Sequence, residues 1–248
     1  MGCWCISGRS TPRPEASTAV EGSGKNSCAK GCGLAKHRVK KFMALHGIRA
    51  GAKRKYMATT DAKYSSPVAP NLLGREFKVD APIRVWTSDI TCIDTGKGWL
   101  YLAAVIDFFS RQIAGWSMRM GMKKKLVVDA LRIAWFRRHP KPGVIFHSDR
   151  GSQYCSAELQ AALGSYGMRS LMSRKGDCWD NASTESLWGS LKVARLHGVR
   201  FATCRAVMDK VIDWISFYNH RRLHSALDNV NPMRFQGRWL ADQEKQAA

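Results

Sequence analysis

Apolar and polar positions change their spacing several times along the chain, and each change marks a new element. From Val85 to Ile93 the two kinds alternate, the period of a β-strand. A second strand, Trp99 to Asp107, follows the turn Thr95-Gly96-Lys97-Gly98, and Ile113 to Met118 predicts a third. Strands joined by turns this short form an antiparallel meander. The period then lengthens. Leu126 to Arg138 reads as a helix, ended by Pro140 and Pro142. Val144 to His147 is a short buried strand. Ser156 suits the N-cap of a helix running to Tyr166, with Gly167 as its stop, and Met168 to Met172 is a fifth strand. A helix from Asn181 to about Leu196 follows. The last long helix runs from Arg205 to Tyr218, with Val207, Val211, Ile215 and Tyr218 on one stripe. A hairpin region followed by alternating helix and strand predicts an α/β fold, a mixed five-stranded sheet flanked by helices.

The front of the chain has a different texture. Gly, Ser, Pro and Thr dominate Ser7 to Gly24, so residues 1–33 are expected to be a poorly ordered leader. Cys3, Cys5, Cys28 and Cys32 lie there and His37 and His46 beyond, but the two histidines are too far apart for zinc-ligand spacing. Between Gly22 and Thr60 there are ten Lys or Arg residues and no acid. Val39, Phe42, Met43 and Leu45 have helical spacing within that stretch, with Gly47 as a stop, so residues 34–64 predict a short basic helix followed by Lys53-Arg54-Lys55. Two readings of this stretch stay open: a DNA-contacting arm or a solvated linker. Pro67, Pro70, Asn71 and Gly74 mark residues 65–80 as a linker, which leaves 81–240 as the compact core. The longest apolar run, Trp99 to Ile106, is far short of a membrane span. With no secretory signal at the N-terminus, the expected location is cytoplasmic and the eight cysteines are expected to be reduced.

Charge narrows the class of partner. The chain carries 40 Lys and Arg against 19 Asp and Glu, a formal net charge of +21, which points to a polyanion, most often nucleic acid. At 45% apolar residues it can still bury a core. Nine of the nineteen acids fall between Asp89 and Glu185. Asp89 sits mid-strand with Thr87 and Thr91 on its face, where Asp is disfavoured because it must be desolvated. Asp149 directly follows the Val144–His147 strand, and strand C-termini are where α/β proteins place site residues. Glu185 lies in the first turns of the helix from Asn181. Singly, each has a plain reading as a turn cap or a solvated helix residue, and Asp94 and Asp107 are read as turn residues. Together, three carboxylates without Cys or His suit a hard ion such as Mg²⁺ or Mn²⁺. Paired ions of that kind drive in-line phosphodiester chemistry.

Five sequence words now resemble a known family. Asp89, Asp149 and Glu185, with 35 residues between the last two, are similar to the D,D(35)E triad of retroviral integrases and bacterial insertion-sequence transposases. Trp86-Thr87-Ser88-Asp89-Ile90-Thr91 and Val105-Ile106-Asp107-Phe108-Phe109-Ser110-Arg111 resemble its first two core strands. His147-Ser148-Asp149-Arg150-Gly151-Ser152-Gln153-Tyr154 resembles its second-aspartate motif. The stretch from Gly176 to Asn181, then Ala182, Glu185, Ser186 and Leu191-Lys192, resembles its glutamate helix. Tyr218-Asn219-His220-Arg221-Arg222-Leu223-His224-Ser225-Ala226-Leu227 with Pro232 resembles its C-terminal signature. The likeness covers about 34–239 and fits the downstream, catalytic product of an element whose reading frame is split. Ser186-Leu187-Trp188 stands where the family more often has two phenylalanines after the glutamate. Ahead of the core, only the last helix of a longer helical module is recognisable.

The resemblance implies an RNase H-like fold and a transposase that cleaves element 3′ ends and joins them to a target. It implies two Mg²⁺ ions (Mn²⁺ as a substitute), with Asp89 and Asp149 sharing one and Glu185 completing the second site. Lys192, two helical turns or about 10 Å beyond Glu185, is then expected to meet a DNA phosphate. Arg174 and Lys175 would clamp DNA, and Arg221, Arg222 and His224 are either DNA contacts or structural pairs. Lys53, Arg54 and Lys55 belong to the expected DNA-binding remnant. Implied partners are DNA at the element ends and target, an upstream-frame helix-turn-helix product (separate or as a frameshift fusion), and further copies of the chain on nucleoid-associated DNA. A nuclease that only hydrolyses and a truncated, non-catalytic DNA-binding regulator are the rival classes.

Overall fold

The expected meander forms as β1 (Val85–Thr95), β2 (Gly98–Asp107) and β3 (Ile113–Arg119), all antiparallel. In this computed structural model, which describes residues 36–47, 79–172 and 182–247, two parallel strands extend the sheet beyond β1. These are β4 (Ile145–Ser148) and β5 (Arg169–Met172), giving the order β3-β2-β1-β4-β5. The architecture is the RNase H-like α/β fold. The leader, the linker up to residue 78, Lys53, Arg54, Lys55, Arg174 and Lys175 lie outside the described residues.

The first helix, α1 (Lys36–Leu45), is the expected basic one, and Gly47 follows it at φ +63°. Helices α2 (Lys124–Arg138) and α3 (Ala157–Ser165) pack on one face of the sheet. Ser156 caps α3 by accepting from the Leu159 N–H, as expected. The opposite face carries α4 (Ala182–Leu191), which continues into a π-helical turn over Lys192–Leu196, and α5 (Cys204–His220), capped by Thr203.

Central placement explains why β1 is buried along both faces, with only Asp94 exposed. Trp86 and Ile90 join the apolar layer of α2 and α3, whereas Ile93 joins Leu187, Trp188 and Leu191 of α4. Side chains alternate along a strand, so Asp89 shares the face of Ile93 and looks toward α4. On the other face β3 and α2 meet at Gly115. A Cβ there would fall 2.3 Å from the Ala130 carbonyl oxygen, so only glycine permits this approach.

One element departs from expectation. The Arg205–Tyr218 helix is not the last long one, because α6 (Pro232–Ala247) follows it and runs past the expected end of the core at 240. Pro232 occupies its first turn, where a missing N–H costs nothing, and Asn231 Oδ1 accepts from the Arg234 N–H at 2.8 Å. Its Phe235 and Trp239 rings pack on Phe109 at centroid distances of 5.3 and 5.8 Å.

Candidate active site

Asp89 and Asp149 come together because β1 and β4 run parallel and in register. Ser88 pairs with Ser148, so the residue after each occupies the same level at neighbouring strands. Tyr154 braces this junction from the far side: its hydroxyl lies 3.0 Å from Ser88 Oγ. Asp149 Oδ1 accepts from the Gly151 N–H at 2.9 Å. A Cβ at position 151 would sit 2.9 Å from that same oxygen, so glycine lets the backbone approach the carboxylate.

Glu185 reaches the site from α4. It is half-buried in the first turn of that helix. One turn later, Trp188 is buried and donates its indole N–H to Asp89 Oδ2 at 2.9 Å. The other Asp89 oxygen, Oδ1, accepts from the Ile90 N–H at 2.8 Å.

Electrostatics link Asp89 to the other two acids. Burial pushes the Asp89 carboxyl up to about 8, and the charges of Asp149 and, more weakly, Glu185 push the same way. The Ile90 and Trp188 donors oppose that rise. Tyr154 is likewise raised, first by burial and then by Asp89 and Asp149. A buried carboxylate that neighbouring acids repel is relieved by a divalent cation.

The geometry limits how such a cation could be held. Among the described residues, no three His, Cys, Asp or Glu side chains form a set able to hold one metal ion. Mg²⁺ does not require one, since it usually takes one or two carboxylates and fills its octahedron with water and substrate phosphate. The donors therefore fit a hard cation shared by a pair of carboxylates, with Asp89 and Asp149 as that pair. A closed three-residue cage does not fit.

The basic residues occupy different settings. Lys192 is buried at the start of the π-helical turn, where a surface lysine would be the default. Arg221 is exposed. Arg222 and His224 are partly buried around Tyr218, with the His224 ring 4.8 Å from the tyrosine ring. Arg111, from the turn between β2 and β3, also acts on that group. Phe108 in that turn bonds the Val85 carbonyl, four residues before Asp89, and neither Arg221 nor Arg222 is among the charges that act on Asp89. The structure thus sets Asp89 and Asp149 side by side, with Glu185 close enough for its charge to act on Asp89, and puts Arg222 and His224 against Tyr218. Sequence reasoning passed over Trp188 and Tyr154; both lie in the words that carry the acids, and that proximity was the available signal.

Comparison with known proteins places this chain in a family. Residues 79–178 match the integrase core domain family, and a second integrase core domain family matches 166–232. The chain is 43% identical over 196 residues to "Transposase InsF for insertion sequence IS3A" of Escherichia coli K12, covering 79% of this chain and 68% of that one. It is an insertion-sequence transposase with an integrase-like core. A second relative is the "Insertion element IS600 uncharacterized 31 kDa protein" of Shigella sonnei, 41% identical to the transposase over 193 residues, 77% of this chain and 71% of that one. Among solved structures, the cryoEM structure of the simian T-cell lymphotropic virus intasome in complex with PP2A regulatory subunit B56 gamma has a chain that aligns with a TM-score of 0.50. At 15% identity, over 64% of this chain and 57% of that chain, this likeness is one of fold.

Proposed function

We propose that this transposase cleaves the 3′ ends of its element and joins them to target DNA in a Mg²⁺-dependent reaction, with Asp89, Asp149 and Glu185 as the catalytic acids. The observation that carries this reading is the parallel register that sets Asp89 and Asp149 side by side on an integrase core, with the charge of Glu185 also felt at Asp89. Asp89 and Asp149 would hold one cation between them, and Glu185 would complete a second position from α4. Divalent ions held there supply activation of an attacking oxygen and stabilisation of a leaving one. The residues of the chain orient that chemistry. Gly151 and Ile90 fix the aspartate oxygens through backbone donors, and the buried sheet keeps bulk water from the back of the site. Such a site needs no Ser or Tyr nucleophile, since the attacking groups are water and then the freed DNA 3′-OH.

DNA is the proposed partner, at both element ends and target. Lys192 is the phosphate contact nearest the acids in sequence, and Arg174, Lys175, Lys53, Arg54, Lys55, Arg221 and Arg222 supply the wider basic surface. Action as an oligomer on DNA, and in concert with an upstream-frame helix-turn-helix product, belong to the same proposal.

Asp149→Asn tests it. With pre-cleaved element ends as substrate, the variant is expected to lose metal-dependent joining while binding DNA within about twofold of the parent. Undiminished joining removes Asp149 from the mechanism. A parent protein that cuts DNA without ever joining it is a nuclease, and one that binds without cutting is a regulator.

A further inference from the structure

The three acids do not share one scaffold. Asp89 and Asp149 are set by neighbouring strands, whereas Glu185 arrives on α4, a helix that begins after residues 173–181. Something must hold that helix in register with the sheet, and Trp188 is placed to do so. It is on the same helical face as Glu185, one turn away. Its ring is buried in the apolar cluster to which Ile93, Leu100 and Leu102 of the sheet also belong, and its N–H ends on Asp89 Oδ2 at 2.9 Å. Among the described residues it is the one side chain that donates to Asp89.

That bond has a directional consequence. A carboxylate offers about four lone-pair positions, two on each oxygen. The Ile90 N–H takes one on Oδ1 and the indole takes one on Oδ2, so the carboxylate plane is fixed and one position on each oxygen is left. Leu187 and Leu191 of the same cluster could dock α4 by packing alone, but an apolar ring would leave the Asp89 carboxylate held by the Ile90 N–H alone.

We infer that Trp188 is a positioning residue that aims the Asp89 carboxylate at the metal position and locks the Glu185 helix to it. This rests on the reading of Asp89 as a metal ligand. The indole acts from outside the ligand set, in the way hydrogen bonds to ligating carboxylates set metal affinity elsewhere.

Trp188→Phe keeps an aromatic ring and removes the donor. Using the full chain without DNA, Mn²⁺ and Mg²⁺ are titrated while the melting temperature is followed. The expected result is a cation midpoint raised about tenfold or more, the usual range for losing such a bond. Joining activity, assayed separately, should recover toward the parental maximum at saturating Mn²⁺, which a merely structural defect would not do. An unchanged or lowered midpoint in a variant that still melts cooperatively in EDTA overturns the inference. Should Trp188→Phe not fold, benzothienylalanine at position 188 preserves the two-ring shape and lacks only the N–H, and the same midpoint decides. Asp89→Asn runs in parallel. If that variant binds the cation like the parent, Asp89 is not a ligand and the proposed function fails at that point, whatever Trp188 does.

Discussion

Asp107 provides a sharp test of which acids hold the fold and which serve the site. It is fully buried at the end of β2, and its carboxylate accepts three hydrogen bonds. Oδ2 takes the Ile83 N–H at 2.6 Å, and Oδ1 takes the Ser110 N–H at 2.8 Å and the Ser110 hydroxyl at 2.9 Å. Asp107→Asn leaves one oxygen for these donors. The better orientation keeps Ser110 satisfied and turns an NH₂ toward the Ile83 N–H. One charge-assisted bond is lost, a buried donor is left unmatched, and two remaining bonds become neutral. Bonds to charged groups contribute ~1.5–3 kcal/mol and an unmatched donor costs ~1–3 kcal/mol, so a net loss of ~2–4 kcal/mol is expected. Attraction to Arg111 and Arg138 adds little, since both guanidinium groups are partly solvated. For a domain of this size ~2–4 °C is lost per kcal/mol, giving a melting temperature lower by ~4–16 °C. Circular dichroism in EDTA measures this, and a cation titration gives the second readout. Asp107 is not among the charges that act on Asp89, so the cation midpoint should stay at the parental value. A melting temperature within about 2 °C of the parent, or a displaced midpoint, would refute the assignment of Asp107 to the fold alone.

Two further outcomes follow from packing and titration. Gly115→Ala would place a methyl 2.3 Å from the Ala130 oxygen and 2.4 Å from the Ala134 nitrogen, both α2 backbone. A loss of ~3 kcal/mol or more is expected from the urea midpoint, and a loss under ~1 kcal/mol would mean that β3 and α2 part easily. His224 is pushed from its ordinary 6.5 down to about 4, by burial first and then by Arg222 and Arg111. The unfolded chain therefore takes up a proton below about 6.5 that the folded chain refuses until about 4, and stability falls as pH drops through that window. His224→Gln should make the melting temperature less steep between pH 6.5 and 4; a parental slope in the variant would contradict this.

The strands and the carboxylates were legible in the sequence because both are local signals. Alternation marked β1 to β3 to within about two residues, and a charged residue mid-strand stood out by its cost of burial. What escaped depends on contacts between distant segments. Helix α6 spreads its two large aromatics among Arg, Gln and Lys, and what docks it is Phe109, in a turn more than a hundred residues earlier. Asp107 was read as a turn residue, but nothing local announces that Ile83 will reach it. Lys192 follows the same rule: its burial is set by where the π-helical turn leaves α4, while its residue type argues for solvent. In the sequence Trp188 stands only as a departure from the two phenylalanines of the family. Its donor acquires meaning only beside Asp89, which lies 99 positions away.

The net charge of +21 and the clustered acids obey one electrostatic logic. A basic surface attracts phosphate but cannot by itself favour bond breaking at one phosphodiester. In the proposed function the acids would bring divalent charge to that point, against the repulsion that Asp149 and Glu185 exert on Asp89. Folding must hold them together against that repulsion, and the devices differ in stiffness. Asp89 and Asp149 are fixed by a central strand pair buried on both sides. Glu185 depends on the docking of a single helix, through Leu187, Trp188 and Leu191. The third acid is therefore the one whose placement the sheet does not dictate. Under the proposed function, completing the site would depend on the docking of α4, which the Trp188 indole joins to Asp89.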